Sequence, residues 1–266
     1  MQTGKSECGR VALVSGATGE LGSAICQRLL KAGMHVEMLG RDALKLREAR
    51  QRIAEDLNEL NRLGTEVIDI TDADSVQQAV RQLTARLPRI DLLVHAAGDG
   101  PVAPLLETTE AQWQGTLQGK LMGTVRLTKA VVAEMRAHGE AQVIIINGTF
   151  AKEPHPMFPI NSAVNCALAG FAKAVSHDLG FQGIRVNVVN PGVTDSPLWG
   201  ATARNLADRF GVTAEEVSAQ LIAKNPLGRF ASPKDVAEVV ALLAHPVSAY
   251  LNGVAIDVDG GAVSAL

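Results

Sequence analysis

Seven short apolar runs, separated by stretches long enough for helices, constrain the fold of this 266-residue chain more than any other feature. Most positions in these runs are apolar and many are β-branched, without the strict alternation of a half-exposed strand. Such strands are buried on both faces, which requires a parallel sheet covered by helices. The runs are VALVS from Val11, HVEML from His35, TEVIDI from Thr65, IDLLVHA from Ile90, QVIII from Gln142, IRVNVV from Ile184 and VAIDV from Val254. The sequence predicts an α/β fold with one doubly wound, seven-stranded parallel sheet.

Helix signals between the runs support this prediction. Thr109 and Gln112 have the spacing of a capping box, and Gly33 follows the first helical stretch as its stop. No linker or repeat divides the chain, so residues 1–266 are interpreted as a single domain. Residues 196–229 interrupt the rhythm with prolines and glycines, and we predict a helical insertion there that forms a substrate lid.

Charge and composition exclude several classes of partner. The net charge is -3 and no dense basic stretch occurs, so a nucleic-acid partner is not expected. No apolar run approaches the roughly 18 residues that a membrane span requires. Three scattered cysteines, Cys8, Cys26 and Cys166, predict neither a disulfide framework nor a metal site, and the first ten residues lack an apolar signal core. We expect a cytoplasmic protein with a small-molecule substrate.

A glycine-rich turn, SGATGELG, follows the first apolar run and precedes the first helix. In a dinucleotide-binding turn, Gly16 permits the tight turn, Gly19 admits the pyrophosphate, and Gly22 lets helix and strand pack closely. The candidate cofactor contacts in this turn are Gly16, Thr18, Gly19, Leu21 and Gly22. The alternative is a structural turn without a ligand, because glycine spacing by itself is a weak signal.

The second run ends in Gly40-Arg41-Asp42, where an NAD-binding protein carries an acidic residue on the ribose hydroxyls. A guanidinium at this place can bind a 2′-phosphate, so Arg41 predicts NADP as the cofactor. The alternative is that Arg41 is a solvated loop charge and that Asp42 simply caps the next helix.

Together with later motifs, these residues make the chain resemble the short-chain dehydrogenase/reductase family over nearly its whole length. The later motifs are Asp69-Ile70, His95-Ala96-Ala97-Gly98, Ile184-Arg185-Val186-Asn187, Asn190-Pro191-Gly192, Leu251-Asn252-Gly253 and Asp257-Val258-Asp259-Gly260-Gly261. The resemblance implies a single Rossmann-type domain with helices on both faces of the sheet. It implies that Asp69 and Ile70 flank the adenine. The remaining implied cofactor contacts are Ala97 and Gly98 in the cleft, and Pro191, Gly192, Val193 and Ser196 on the nicotinamide half.

Two departures lie inside these motifs. Glu20 replaces a usual glycine, although Gly19 restores a three-glycine spacing. His95 replaces the usual asparagine, and we interpret it as a hydrogen-bonded structural histidine in preference to a catalyst.

The catalytic positions of the family depart much further. The family uses a tyrosine as general acid or base, a lysine four residues later that lowers the pKa of the tyrosine and holds the ribose, a serine, and an asparagine in a water relay. The resemblance places these four positions at Asn161, Asn165, Thr149 and Lys120, respectively. Thr149 retains a hydroxyl, but the loop to Asn161 is one residue short, so the serine position can also fall on Gly148. An amide at position 161 has no titratable proton near neutral pH.

Other groups are candidates for the missing acid. The sole tyrosine, Tyr250, precedes the last run and is not expected to substitute. Glu153 and His155 lie in the loop between Thr149 and Asn161. Lys120 is the most informative candidate, because an ammonium at 120 and an amide at 165 look like an exchange between two helices. Lys120 then faces the nicotinamide ribose or, in the alternative, occupies a solvated helix edge.

We therefore predict an NADP-dependent oxidoreductase with a remodelled proton relay, acting on a small carbonyl, imine or alcohol. The rivals are an NADP-binding protein without turnover and a non-redox enzyme that reuses the pocket. The family resemblance, with small residues along the helix predicted over residues 160–179, also predicts a homo-oligomer and favours a tetramer.

The first prediction concerns the cofactor. NADP(H) should bind at least about tenfold more tightly than NAD(H), because one charged contact to the extra phosphate contributes about 1.5–3 kcal/mol. Calorimetric titration with both nucleotides measures the difference. Equal affinities, or an Arg41→Ala variant that keeps the preference, would contradict the assignment.

Overall fold

A computed structural model describes residues 9–57, 59–135 and 141–265. Cys8 lies outside the described residues. The sheet has seven parallel strands in the order β3-β2-β1-β4-β5-β6-β7, which confirms the predicted doubly wound fold. The strands are β1 (Val11–Ser15), β2 (His35–Gly40), β3 (Leu63–Val67), β4 (Leu92–His95), β5 (Ala141–Ile146), β6 (Ile184–Pro191) and β7 (Ala255–Val258).

Helices follow the strands and cover both faces of the sheet. They are α1 (Glu20–Lys31), α2 (Ala43–Leu57), α3 (Ala73–Arg86), α4 (Glu110–Thr116), α5 (Gly123–Met135), α6 (Pro159–Gly180), α7 (Pro197–Phe210), α8 (Ala214–Lys224) and α9 (Pro233–Ala244). A π-helical turn, Leu117–Met122, joins α4 to α5. The capping box of Thr109 and Gln112 is present at the start of α4. No helix of the described residues combines the length and apolar character that a membrane crossing needs.

The third strand differs from its predicted place. The run TEVIDI predicts a strand from Thr65, but β3 spans Leu63–Val67. Ile68 and Ile70 lie beyond the strand and are buried in the core beside α3 and α5. These two side chains are buried by packing under the helices, so their apolar character does not report sheet pairing.

The core has two halves, one on each face of the sheet, because successive side chains of a strand point to opposite faces. In β1, Leu13 packs among residues of α3, α5 and α6. Its neighbours Ala12 and Val14 pack among residues of α1, α2 and α9 on the other face. This two-sided burial explains the continuously apolar runs and holds the strand ends that carry the site.

The β1–α1 turn is built on close backbone contacts. Gly16 has a φ of +70°, and a Cβ there would lie 2.5 Å from the carbonyl oxygen of Ala96. A Cβ at Gly22 would overlap the carbonyl oxygen of Gly16. Gly19 is the N-cap of α1 and provides no side-chain hydrogen bond. The N–H groups of the first turn of α1 therefore have no side-chain cap, as an anion-binding turn requires.

This turn provides the second prediction. Gly22→Ala should destabilise the fold by about 1–3 kcal/mol, because the new methyl group forces a packed turn to move. Urea unfolding followed by circular dichroism measures the change. Gly19→Ala is the matched control: its Cβ would have no neighbour nearer than 3.5 Å, so its cost should stay below about 1 kcal/mol. Equal losses for the two variants would contradict the contact argument.

Candidate active site and cofactor cleft

The predicted cofactor residues lie where parallel strands reach one edge of the sheet. The β1–α1 turn contacts the end of β4, because Gly16 packs against Ala96. Arg41 follows β2, Gly98 follows β4, and Pro191 ends β6. A cleft at the carboxyl edge of a doubly wound sheet is the expected place for a dinucleotide. The glycine contacts and the start of α1 fit a pyrophosphate at this edge.

Arg41 and Asp42 have separate surroundings at the end of β2. Asp42 accepts hydrogen bonds from the N–H groups of Leu44 and Lys45 at 2.9 and 3.1 Å, so it caps α2 as the alternative interpretation proposed. Arg41 is exposed. Hydrogen bonds from Thr71 hold the pKa of Asp69 below its usual value, and the nearby charge of Arg41 adds to this effect. The guanidinium is therefore exposed at the end of β2, close enough to Asp69 for their charges to interact.

The segment after β6 carries the residues that are predicted to contact the nicotinamide half of the cofactor. Gly192 packs closely against Asp259. A Cβ at Gly192 would lie 2.9 Å from the Asp259 Cβ. The Ser196 hydroxyl accepts a hydrogen bond from the Trp199 N–H at 3.2 Å, which makes Ser196 the N-cap of α7. A capping role for Ser196 was not anticipated from the sequence.

Lys120 is buried, so the solvated-edge alternative for it is wrong. Only 6% of the residue is exposed, and its Nζ donates a hydrogen bond to the Asn147 carbonyl oxygen at 3.3 Å. Burial lowers the pKa of Lys120, while the charge of Asp99 opposes that shift. The residue lies in the π-helical turn, a local widening that is frequent at functional sites. Nothing in the sequence indicated this turn.

Asn161 is turned toward a neighbouring loop. Its Nδ2 donates to Asp99 Oδ1 at 3.3 Å and to the Gly100 carbonyl oxygen at 3.4 Å. A Cβ at Gly100 would overlap Asn161 Oδ1. Asn161 therefore fixes the backbone turn at 99–100, and this turn covers its amide, which is 5% exposed. Sequence analysis missed Asp99 and Gly100, although an aspartate between two glycines directly after a cofactor motif is a usable signal.

Asn165 lies one helical turn further along α6. A Cβ at Gly148 would lie 2.7 Å from Asn165 Nδ2, so the amide packs directly on the backbone at 148. Asn147 Nδ2 donates to the Asn165 carbonyl oxygen at 3.1 Å. The Oδ1 atoms of Asn147, Asn161 and Asn165 are all buried and have no hydrogen-bond partner in the described part of the chain. Buried unpaired acceptors are rare in native proteins, so this cluster fits hydroxyl donors from a cofactor ribose or from water.

The loop that carries Thr149 is tied to the end of the sheet. The Gly148 N–H donates to Asn190 Oδ1 at 3.4 Å, and Asn190 Nδ2 donates to Asp257 Oδ1 at 2.9 Å. Lys152 closes the chain of contacts with an ion pair to Asp257 at 2.8 Å. This network holds the partly exposed Thr149 beside α6. None of these three partners was singled out as a positioning residue from the sequence.

The remaining titratable candidates are two hydrogen-bonded histidines and two exposed side chains. Burial lowers the pKa of His95 to about 3, and its Nε2 lies 2.8 Å from the Thr128 hydroxyl, which supports the structural interpretation. His155 Nδ1 accepts from the Met157 N–H at 3.2 Å, and burial lowers the pKa of this histidine. Glu153 is exposed, and Tyr250 is fully exposed in the segment before β7.

Helices α7 and α8 pack against the segments that follow β4 and precede α6. Leu206, Ala207 and Val217 from these helices pack with Val102, which follows β4, and with Met157, which precedes α6. Arg209 of α7 also forms a two-pronged ion pair with Glu107, at 2.9 and 2.6 Å. The described residues contain no group of three or more His, Cys, Asp or Glu side chains placed to hold a metal.

A family model described as enoyl-(acyl carrier protein) reductase matches residues 16–263. A putative ketoacyl reductase of Streptomyces coelicolor is 31% identical over 257 residues, covering 94% of this chain and 96% of that protein.

Solved structures give the same picture. L-sorbose reductase from Gluconobacter frateurii, complexed with NADPH and L-sorbose, is similar with a TM-score of 0.90 and 28% identity, covering 98% of this chain and 100% of that one. A short chain oxidoreductase from Pseudomonas aeruginosa PAO1, bound to NADPH and described as containing an atypical catalytic center, has a TM-score of 0.87 and 29% identity, covering 97% of this chain and 98% of that one. The chain belongs to the short-chain dehydrogenase/reductase family.

Proposed function

We propose that this protein is an NADP(H)-dependent oxidoreductase whose proton relay is remodelled around Lys120 and whose substrate is a small carbonyl, imine or alcohol. The observation that carries the proposal is the buried Lys120, hydrogen-bonded to Asn147 beside the amides at 161 and 165. Three similar proteins were crystallised with NADPH, which supports NADP(H) as the cofactor of this protein.

The residues proposed to hold NADP are those of the predicted set. The turn from Gly16 to Gly22 would receive the pyrophosphate, Arg41 the 2′-phosphate, and Asp69 with Ile70 the adenine. Ala97, Gly98 and the segment from Pro191 to Ser196 would enclose the nicotinamide half. When bound, the cofactor supplies or accepts a hydride.

Lys120 is proposed to replace the lysine that the family carries at position 165. Its ammonium has three donors, and one of them is used by the Asn147 carbonyl oxygen. The other two are proposed to serve the hydroxyl groups of the cofactor ribose. Because burial lowers the pKa of Lys120, this side chain releases a proton more readily than an exposed lysine does.

Asn161 cannot perform the task of a tyrosine. An amide has no titratable proton, and its N–H group is already directed at Asp99 and Gly100. Loss of a general acid typically costs about 10²- to 10⁴-fold in rate. We therefore expect a substrate whose reduction needs little protonation in the transition state. The NADPH-bound relative with an atypical catalytic center supports the view that a protein of this fold can bind NADPH without the usual site.

A second candidate is an NADP-binding protein without turnover. The observation that favours it is the covering of Asn161 by the turn at 99–100, which leaves the amide 5% exposed. A spectrophotometric assay of NADPH oxidation with a panel of carbonyls and imines separates the candidates. Turnover supports the oxidoreductase. NADPH binding without turnover supports the second candidate, and conversion of a substrate without change in NADPH points to a non-redox enzyme.

The segment 196–229 is proposed to act as the substrate lid. It contacts Val102 and Met157 through a small apolar cluster and Glu107 through an exposed ion pair, and opening requires the separation of only these contacts.

The third prediction tests Lys120. Lys120→Met should weaken NADPH binding at least about tenfold, because a charge-assisted hydrogen bond contributes about 1.5–3 kcal/mol. The free energy of unfolding should change by less than about 1 kcal/mol, since methionine keeps most of the stem volume. NADPH fluorescence titration and urea unfolding measure these quantities. Lys129→Met, which removes an exposed lysine of α5, is the control. Parental NADPH affinity and turnover in Lys120→Met would remove Lys120 from the site.

The fourth prediction restores the usual family residues. The double variant Asn161→Tyr with Asn165→Lys should reduce simple ketones up to about 10²-fold faster than the parent. Both changes are needed, because the tyrosine depends on a nearby ammonium and must also displace the turn at Gly100. Initial rates of NADPH oxidation for the parent, both single variants and the double variant test this. Robust ketone reduction by the parent would show a proton donor that the assignment misses.

The fifth prediction concerns assembly. Ala163, Ala167, Gly170 and Ala174 form an exposed row of small residues along α6, which permits close packing between subunits. We expect a homo-oligomer, with a tetramer favoured. Light scattering at micromolar concentration measures the mass, and a value near 28.0 kDa, that of one chain, would contradict this expectation. Ala167→Arg should lower the mass by obstructing the packed row.

A further inference from the structure

Asp99 is an exposed carboxylate at the carboxyl edge of the sheet, one residue beyond the proposed cofactor contact Gly98. In the part of the chain that the structure describes, it forms no ion pair with a lysine, arginine or histidine. A carboxylate therefore lies beside Asn161, the position that the family gives to its tyrosine, and within range of the charge of the buried Lys120.

The carboxylate is held in a defined orientation. Its Oδ1 accepts hydrogen bonds from the Gly100 N–H at 2.8 Å and from Asn161 Nδ2 at 3.3 Å. Both bonds use the same oxygen, and no described residue hydrogen-bonds to Oδ2. Asn161 is nine-tenths buried, and its own Oδ1 is unpaired. The buried Asn161 side chain thus fixes the orientation of the exposed Asp99 carboxylate. A fixed orientation is what a carboxylate needs in order to bind a ligand.

This arrangement reverses the hydrogen-bonding character of the site. A phenol at position 161 would donate a proton to a carbonyl oxygen, which is an acceptor. The Asp99 carboxylate can only accept, so it repels a carbonyl oxygen and attracts a group that carries both a proton and a positive charge. A protonated nitrogen has both properties.

Lys120 is the cation whose charge acts on Asp99, but in the described part of the chain the two side chains form no direct ion pair. Lys120 packs beneath Gly98, where a Cβ would lie 2.9 Å from the Lys120 Cβ, and its Nζ bonds to the Asn147 carbonyl oxygen. The Lys120 ammonium is therefore engaged at the Asn147 carbonyl oxygen, which leaves Asp99 Oδ2 open to a cationic ligand.

We propose that Asp99, fixed by Asn161 and Gly100, is the counter-ion for a substrate with a protonated nitrogen, and that the protein interconverts iminium ions and amines. This inference rests on the proposed NADP(H)-dependent oxidoreductase function. It narrows the substrate from carbonyl, imine or alcohol to cationic nitrogen compounds.

The chemistry balances without an acid from the protein. The iminium carbon accepts a hydride from bound NADPH and forms a new C–H bond. The electron pair of the C=N double bond moves to nitrogen, which becomes the neutral amine nitrogen and later takes a proton from water. The iminium ion is reduced and NADPH is oxidised to NADP⁺. The missing tyrosine is no obstacle, because no proton is transferred in the hydride step.

Binding of amines measures the proposal without turnover. With the protein saturated with NADPH, 2-methylpyrrolidine and 2-methylpiperidine are titrated calorimetrically beside their neutral ring counterparts, 2-methylcyclopentanone and 2-methylcyclohexanone. We expect each amine to bind at least tenfold more tightly than its neutral counterpart. Asp99→Asn, which keeps the shape of the side chain, should weaken amine binding at least tenfold and leave NADPH affinity within twofold. Glu110→Gln, an exposed carboxylate change at the start of α4, is the matched control and should leave amine affinity within twofold.

Turnover gives a second measurement. We expect 2-methyl-1-pyrroline, which is largely protonated at neutral pH, to be reduced with loss of NADPH, and Asp99→Asn to slow this reaction at least tenfold. Equal binding of amines and ketones, or parental amine binding by Asp99→Asn, overturns the inference. If NADPH binds and only carbonyls are reduced, the inference fails while the proposed function stands. If NADPH does not bind, both fail.

Discussion

Close contact between backbone segments at the carboxyl edge of the sheet is the constraint on which the site depends. The first glycine turn touches the end of β4, the turn at 99–100 lies on Asn161, and the backbone at 148 lies on Asn165. A side chain at any of these glycines would push the segments apart, because packed backbone yields little. The amides at 161 and 165 can lie where they do only because the facing residues have no Cβ. The site is therefore specified as much by missing side chains as by present ones.

The amides of α6 and Lys120 of the π-helical turn contact the same backbone segments, at 98–100 and 147–148. Amides at 161 and 165 are shorter than tyrosine and lysine, and the loop at 98–100 and the loop at 148 occupy the space beside them. Lys120 supplies a long basic side chain from the opposite wall of the same space, with its Nζ at the Asn147 carbonyl oxygen. The three unpaired amide oxygens nearby leave a region that is rich in acceptors. Such a region favours ligands with hydroxyl or N–H donors over ligands that only accept.

A second network, of hydrogen bonds and one ion pair, runs through Asn190, Asp257 and Lys152. It joins the loop of Thr149 to the ends of β6 and β7, and so fixes the position of the loop that carries the partly exposed Thr149 hydroxyl. Helices α7 and α8 contact Val102 and Met157 through apolar side chains, and they contact Glu107 through one exposed ion pair.

The sequence by itself determined the fold, because buried parallel strands require continuously apolar runs and such runs are visible in one dimension. It also determined the glycine turn, the guanidinium at 41 and the presence of an amide at 161, since each depends on residue type at a known place along the chain. Only the tertiary structure decided the end of β3, the burial of Lys120 and the contact between Asp99 and Asn161. Ile68 and Ile70 are apolar because they pack under helices, which the run TEVIDI does not distinguish from sheet pairing. Lys120 lies inside because a π-helical turn carries it, and Asp99 faces the site because Asn161, 62 positions away, binds its carboxylate. Contacts between distant segments depend on how the elements pack in space, and residue spacing along the chain does not encode that packing.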